Sequence, residues 1–253
     1  MRHPFHRSRL GRLVVAASLL AGGPLQASPF YAPPPPDEDT ATLSGEAELG
    51  YTRLSGNTDS RTLIAKGQLT WLTGDWTHTL RSEVRSVARD GDTSAEQYLI
   101  SGRERYELEG PHYLFGFARW EKDRFSGYAW QATGIGGYGR DLLEGERHRL
   151  SLEGGPGYRH DRIDNGPDAS LGVAYAALDW ELEASETTTL GQELSLEATD
   201  DNTTSRSHSS LTAKLNSRLS LRLSHEMRHN SRPPERAESR TDHTTSASLL
   251  YSW

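Results

Sequence analysis

Charged residues recur at alternate positions in several stretches of this chain. "RSEVRSVAR" and "SGRERYEL" carry arginines, and "LDWELEASE" and "ELSLEATD" carry carboxylates. Arg81, Arg85, Arg103, Arg105 and Arg119, with Glu83 among them, form one group; Asp179, Glu181, Glu183, Glu193 and Glu197 form another. A spacing of two puts such side chains on one face of a strand. Facing each other across a narrow aqueous pore, the two groups would set up a transverse field that selects ions. Paired with each other, they would lace the pore shut, because a buried charge is tolerable only with a partner. Both outcomes stay open, with a plug or a very narrow pore the nearer fit.

Other candidate chemistry is thinner. "RHDRIDNGPDAS" holds His160, Asp161, Asp164, Asn165 and Ser170. It invites comparison with outer-membrane phospholipases, which need a Ser and a His facing lipid on adjacent strands and a polar orienter. "DNGPD" equally has the residues a turn wants, and the expectation is that the chain is not an enzyme. "DGD" at 90–92, "DNGPD" at 164–168 and "TDDN" at 199–202 are acidic, yet lack the spacing of a dedicated calcium loop. The ten His form no HExxH pair. "GIGGYG" lies inside a strand-like run with no helix after it, so it is no dinucleotide fingerprint. No cofactor, metal or catalytic residue is expected.

The elements that must carry these residues are strands. From Leu43 onward period-two runs alternate with turn chemistry. Leu43, Ala47, Leu49 and Tyr51 oppose Ser44, Glu46, Glu48 and Thr52; Leu178, Trp180 and Leu182 oppose Asp179, Glu181 and Glu183. In the fifth run the parity blurs, because Phe115 and Phe117 share a face with Arg119 and Glu121. The sixth is Gly-rich, which suggests bulging or tight lumen packing. About twelve runs are countable, mostly longer than the 5–6 residues usual in soluble proteins and suited to tilted membrane-spanning strands. Only 34% of residues are hydrophobic and the mean hydropathy is −0.71, poor for a packed core, but six Trp, ten Tyr and 24 Gly argue against a solvated coil. A closed transmembrane antiparallel β-barrel of about twelve strands with a polar lumen, over 42–253, reconciles these facts. "TGD", "EGPH", "LEGE", "ASET" and "NSR" read as short turns. "RDGDTSA", "IDNGPDAS", "DDNTTSRS" and "NSRPPERAESR" read as longer loops, and "SGNTD" and "RFSG" as short ones on the same side.

The ends fit the same plan. "MRHPFHRSRLGR", "LVVAASLLAGG" and "PLQAS" form the three parts of a cleavable secretory signal over 1–27. "SPFYAPPPPDEDT" reads as a Pro-rich periplasmic spacer over 28–41. Loss of Arg2, Arg7, Arg9 and Arg12 would take the formal charge from −7 to −11, which disfavours nucleic acid as a partner. With no cysteine, no disulfide or thiolate site is available. The final run sets Ala247, Leu249, Tyr251 and Trp253 against Asp242, Thr244, Ser246 and Ser248. A barrel must pair its last strand with its first, and aromatic rings favour the lipid–water boundary. Trp253, Tyr251 and Leu249 therefore read as a membrane-assembly signal. The expected partners are outer-membrane lipids and lipopolysaccharide, barrel-assembly machinery and periplasmic chaperones, with small solutes or ions if the lumen is open.

"ELGYTRLSGNTDSRTL", "AEQYLISGRERYEL", "YLFGFARWEKDRFSGYAWQ", "GYGRDLL", "LEGGPGYRH" and the final "LSHEMRHNSRPPERAESRTDHTTSASLLYSW" together resemble the YdiY-like salt-induced outer-membrane protein family, also called domain of unknown function 481. The similarity runs from about Leu43 to Trp253. It implies an outer-membrane β-barrel and, through the family's name, a salt-stress-related role; the residues themselves are read as such a barrel in a Gram-negative envelope with a structural role or a narrow passive channel. A lipid-modifying enzyme and a fully plugged structural barrel are the alternatives.

Overall fold

The computed structural model describes residues 42–54, 60–89, 92–123, 128–163, 166–233 and 239–253. The expected signal (1–27) and spacer (28–41) lie outside them, as do the turns read at 56–59 and 124–127 and residues Asp164 and Asn165. The described residues form twelve strands: β1 (Leu43–Leu54), β2 (Ser60–Thr73), β3 (Trp76–Arg89), β4 (Asp92–Glu107), β5 (His112–Asp123), β6 (Tyr128–Glu144), β7 (His148–Ile163), β8 (Ala169–Ser185), β9 (Thr188–Ala198), β10 (Thr203–Lys214), β11 (Leu219–Asn230) and β12 (Thr241–Ser252). Each pairs antiparallel with its sequence neighbours, and β1 pairs with β12, so the sheet closes into a barrel. Closure removes every sheet edge. The closing register runs Glu46↔Ser252 to Gly50↔Ser248, and Gly45 and Trp253 exchange main-chain hydrogen bonds at 3.0 Å beyond it.

The alternation sorts by side. Leu49, Tyr51, Leu80, Ile100, Leu152, Leu194, Leu223 and Leu249 are each more than 40% exposed on the outer wall, while Glu48, Arg81, Glu83, Arg85, Glu197 and Glu226 are buried inside. That is the reverse of a water-soluble globule, in which exposed large apolar patches are limited.

The blurred fifth run resolves as an inward aromatic face. Tyr113, Phe115 and Phe117 point into the barrel in line with Arg119, Glu121 and Asp123, where they pack with Ile135, Val173 and Tyr175. The Gly-rich sixth run makes this possible. A Cβ on Gly139 would fall 2.1 Å from the Tyr113 ring, so only a glycine leaves the ring its seat. Nearby, Gly137 and Gly155 bring the β6 and β7 backbones too close for side chains, and ladder pairing lapses between Ile135↔Gly157 and Tyr138↔Gly154.

The loop asymmetry is weaker than the sequence suggested. "RDGDTSA" is mostly strand, since β3 and β4 pair as far as Arg89↔Asp92 with a bulge at Val87/Ala88. Ladder hydrogen bonding proceeds through these polar residues, because facing strands satisfy their backbone groups whatever the side chains. The long connection is 231–240, between β11 and β12.

Candidate functional site

The lumen is the candidate site, and it is crowded. Three carboxylates act as hubs. Glu197 on β9, fully buried, accepts paired hydrogen bonds from Arg119 on β5 at 3.0 and 3.2 Å and another from Arg206 on β10 at 2.7 Å; Arg159 on β7 lies at 3.8 Å. Arg119 and Glu197 stand four strands apart, so this contact bridges the interior. Glu121 extends the network to Arg206 (3.4 Å) and Arg228 (3.6 Å). Gln131 and Asp161 attach to it through Arg228 and Arg159.

Glu226 on β11 is the second hub. Lys66 donates to it at 2.9 Å from β2 and Arg85 at 2.9 Å from β3. Arg85 is 1% exposed; it also donates to Glu83 and Thr244 at 3.1 Å. Arg81 lies 3.6 Å from Glu83.

Glu153 on β7 is the third. It takes two bonds from Arg103 (3.1 and 2.5 Å) and one each from the hydroxyls of Tyr113 (3.1 Å) and Tyr175 (3.0 Å). Arg103 lies over the Phe115 ring and Arg105 over that of Tyr113, at 5.0 and 3.6 Å from the centroids. Arg105 also pairs with Glu107 and Asp141 at 2.5 and 2.6 Å. Such contacts combine charge, cation–π and packing terms.

The arginines and carboxylates singled out by their spacing thus divide. Arg81, Glu83, Arg85, Arg103, Arg105, Arg119 and Glu197 sit inside this network. Of the five on β8 and β9, only Glu197 forms an ion pair with an arginine of the β3–β5 wall among the described residues. Asp179, Glu181, Glu183 and Glu193 instead border a cavity of about 230 Å³ at the barrel end where β1 starts and β12 finishes, together with Glu46, His208, Lys214 and Arg222. The wall arginines are neutralised partly by carboxylates beside them on their own strands (Glu83, Glu107, Glu121) and chiefly by Asp141, Glu153, Glu197 and Glu226 from other strands, so the lumen does not carry two bare opposed walls. Glu121, Glu153, Glu226, Arg206 and Arg228 are the members of the network that spacing did not single out. Glu121 was legible as a member of a polar face; which residues become hubs depends on which strand faces which across the interior.

Tyr251, Leu249 and Trp253 project from the outer wall, 38%, 47% and 55% exposed, and the rings of Tyr251 and Trp253 stack at 5.8 Å. On the same wall His160 and Ser170 are register partners on β7 and β8, with Nδ1 and Oγ 3.0 Å apart. The phospholipase comparison required this adjacency. Two further His–hydroxyl pairs have the same cross-strand form, His225–Thr245 (2.8 Å) and His229–Thr241 (2.7 Å). Among the described residues no third group hydrogen-bonds the far nitrogen of His160, and none of the His, Asp and Glu groups is arranged to hold a metal ion.

Residues 47–253 match the family model described as "Protein of unknown function, DUF481". The chain is 34% identical over 183 residues to the uncharacterized protein YdiY of Escherichia coli (strain K12), covering 69% of this chain and 73% of that one. Among solved structures it is similar to the translocator domain of the autotransporter NalP from Neisseria meningitidis (11% identity, 86% of this chain and 90% of that one, TM-score 0.48). It is also similar to an outer-membrane channel from Pseudomonas putida F1 (13% identity, 83% and 93%, TM-score 0.48).

Proposed function

We propose, from the premise that this chain belongs to the DUF481 family, that it is an outer-membrane β-barrel sealed across its interior, with a structural role in the envelope. The membrane reading is supported by the inverted distribution of side chains, apolar outside and charged inside, which suits a wall bathed in hydrocarbon around a polar interior. In the same reading the chain is exported through a signal cleaved after Ala27, folded by periplasmic chaperones and barrel-assembly machinery, and surrounded by lipid and lipopolysaccharide. Both barrel ends of the chain then lie on the periplasmic side. A salt-stress association belongs to this reading as the role that the family resemblance implied.

One observation carries the seal: Glu197, fully buried, holds Arg119 from β5 and Arg206 from β10. With Glu121 and Arg228 this forms a septum of fixed charges, with the aromatic cluster around Phe115 and Tyr175 packed below it. A solute would have to break several desolvated ion pairs to pass, each costly to open.

The experiment is planar-bilayer recording on refolded protein. The sealed reading expects no single-channel steps from the wild type, and steps from a variant with the septum emptied (Arg119→Ser, Glu197→Ser, Arg206→Ser). Steady wild-type conductance, with an ion preference altered by neutralising Arg81, Arg85, Arg103, Arg105 and Arg119, would establish a narrow passive channel in its place.

A further inference from the structure

The cavity at the closing end of the barrel has a chemistry that the septum does not. Five carboxylates border it: Glu46 from β1, Asp179, Glu181 and Glu183 from β8, and Glu193 from β9. Asp179 and Glu193 are direct register partners, so two acids lie side by side on one face. Like charges in that relation repel. Neither is relieved in the way the septum acids are. Asp179 has no ion pair or hydrogen bond among the described residues. Glu193 is 6% exposed and touches His208 through Oε1 (3.3 Å), while its buried Oε2 has no hydrogen-bond partner. Of the nearby cations, Arg81 and Arg103 line an adjoining cavity with Asp179 and Glu193 but pair with Glu83 and Glu153, Arg222 is engaged with Glu48 at 3.2 Å, and Arg149 with Glu181. Lys214 stands at the exposed rim.

An orphaned, buried carboxylate oxygen beside an unpaired acid calls for a positive partner. A single metal ion does not fit, since no group of these residues is arranged around one point among the described residues. The acids instead form a ladder: Asp179, Glu181 and Glu183 follow one another at two-residue steps, about 6.8 Å each along a strand. A ladder of charge suits a chain-like molecule with several positive groups, and the 230 Å³ of space gives it room, with Leu250 as the apolar floor for its methylenes.

We infer that this vestibule is a binding site for an aliphatic polyamine, its inner ammonium group seated between Asp179 and Glu193. The inference stands whether or not the septum conducts, because Arg119, Glu197 and Arg206 are not among the residues that line the cavity.

The test is calorimetric titration of the full-length, detergent-folded protein with spermidine at fixed ionic strength. One saturable site per barrel is expected. Asp179→Asn and Glu193→Gln should each weaken it about tenfold, the scale of one charge-assisted hydrogen bond, and Lys214→Gln should tighten it. Folding of each variant is checked by heat-modifiable migration. Glu46→Gln, on the opposite side of the cavity, gives a second arm with the same expected loss if the β8–β9 variants do not fold. No saturable heat from the wild type, equal binding by the folded variants, or displacement by equimolar Mg²⁺ would each overturn the inference.

Discussion

Gly45 and Trp253 bond to each other in both directions across the closing seam, N to O at 3.0 Å each way. The indole lies over the glycine so closely that a Cβ at position 45 would fall 2.3 Å from Cζ2. Trp253 is thereby seated on β1, and its ring stacks on that of Tyr251. Seam geometry and the aromatic pair are one device.

Gly45→Val should therefore loosen the seam by about 1–3 kcal/mol, the usual range for overpacking. The readout is a lower temperature for the heat-modifiable mobility shift. Trp253→Ala removes the obstacle, so the double variant should be no less stable than Trp253→Ala alone. Simple additivity would contradict the contact.

Glu197→Gln leaves Arg119 and Arg206 facing each other without their shared carboxylate. Breaking a buried ion pair from one side costs about 3–5 kcal/mol, which urea unfolding in detergent would register as a lower midpoint. Adding Arg206→Met removes the surplus charge and should recover part of the loss.

Much of this was legible from alternation alone. The side taken by Arg81, Arg85, Asp179 and Leu249 follows from counting residues in twos. Tyr113, Phe115 and Phe117 were harder, because a rule that sends aromatics to lipid conflicts with the parity of Arg119 and Glu121. Parity won, since a strand cannot turn single residues over without a bulge. The partners were not legible: Arg119 meets Glu197 through strand tilt and barrel closure, which no local pattern encodes. No face was assigned for the runs that form β10 and β11, so Arg206, Glu226 and Arg228 emerged only from the structure.

Ile100, mid-strand on β4 and 49% exposed, separates the lipid-facing account from a water-soluble one. Ile100→Arg should cost about 2–4 kcal/mol in a bilayer if the site lies near the midplane. At a water-exposed position the same change usually stays within about 0.5 kcal/mol. Refolding titrations into lipid vesicles decide between them.

His160 and Ser170 are within hydrogen-bond distance, so hydrolysis of phospholipid is directly checkable. Because cross-strand His–hydroxyl pairs recur at His225 and His229, the pair is expected to be structural. No fatty acid should be released by the wild type, and His160→Ala should change nothing. Release abolished by that substitution would reinstate the enzyme reading.

The claim beneath all of these is that the outer wall touches hydrocarbon. Trp71, Trp76, Trp120, Trp130, Trp180 and Trp253 all fall on the outward parity. Fluorescence of the protein refolded into vesicles of brominated phospholipid measures this contact. Strong quenching relative to unbrominated vesicles is the predicted result. Unquenched fluorescence, from a protein that stays monomeric without detergent, would contradict it.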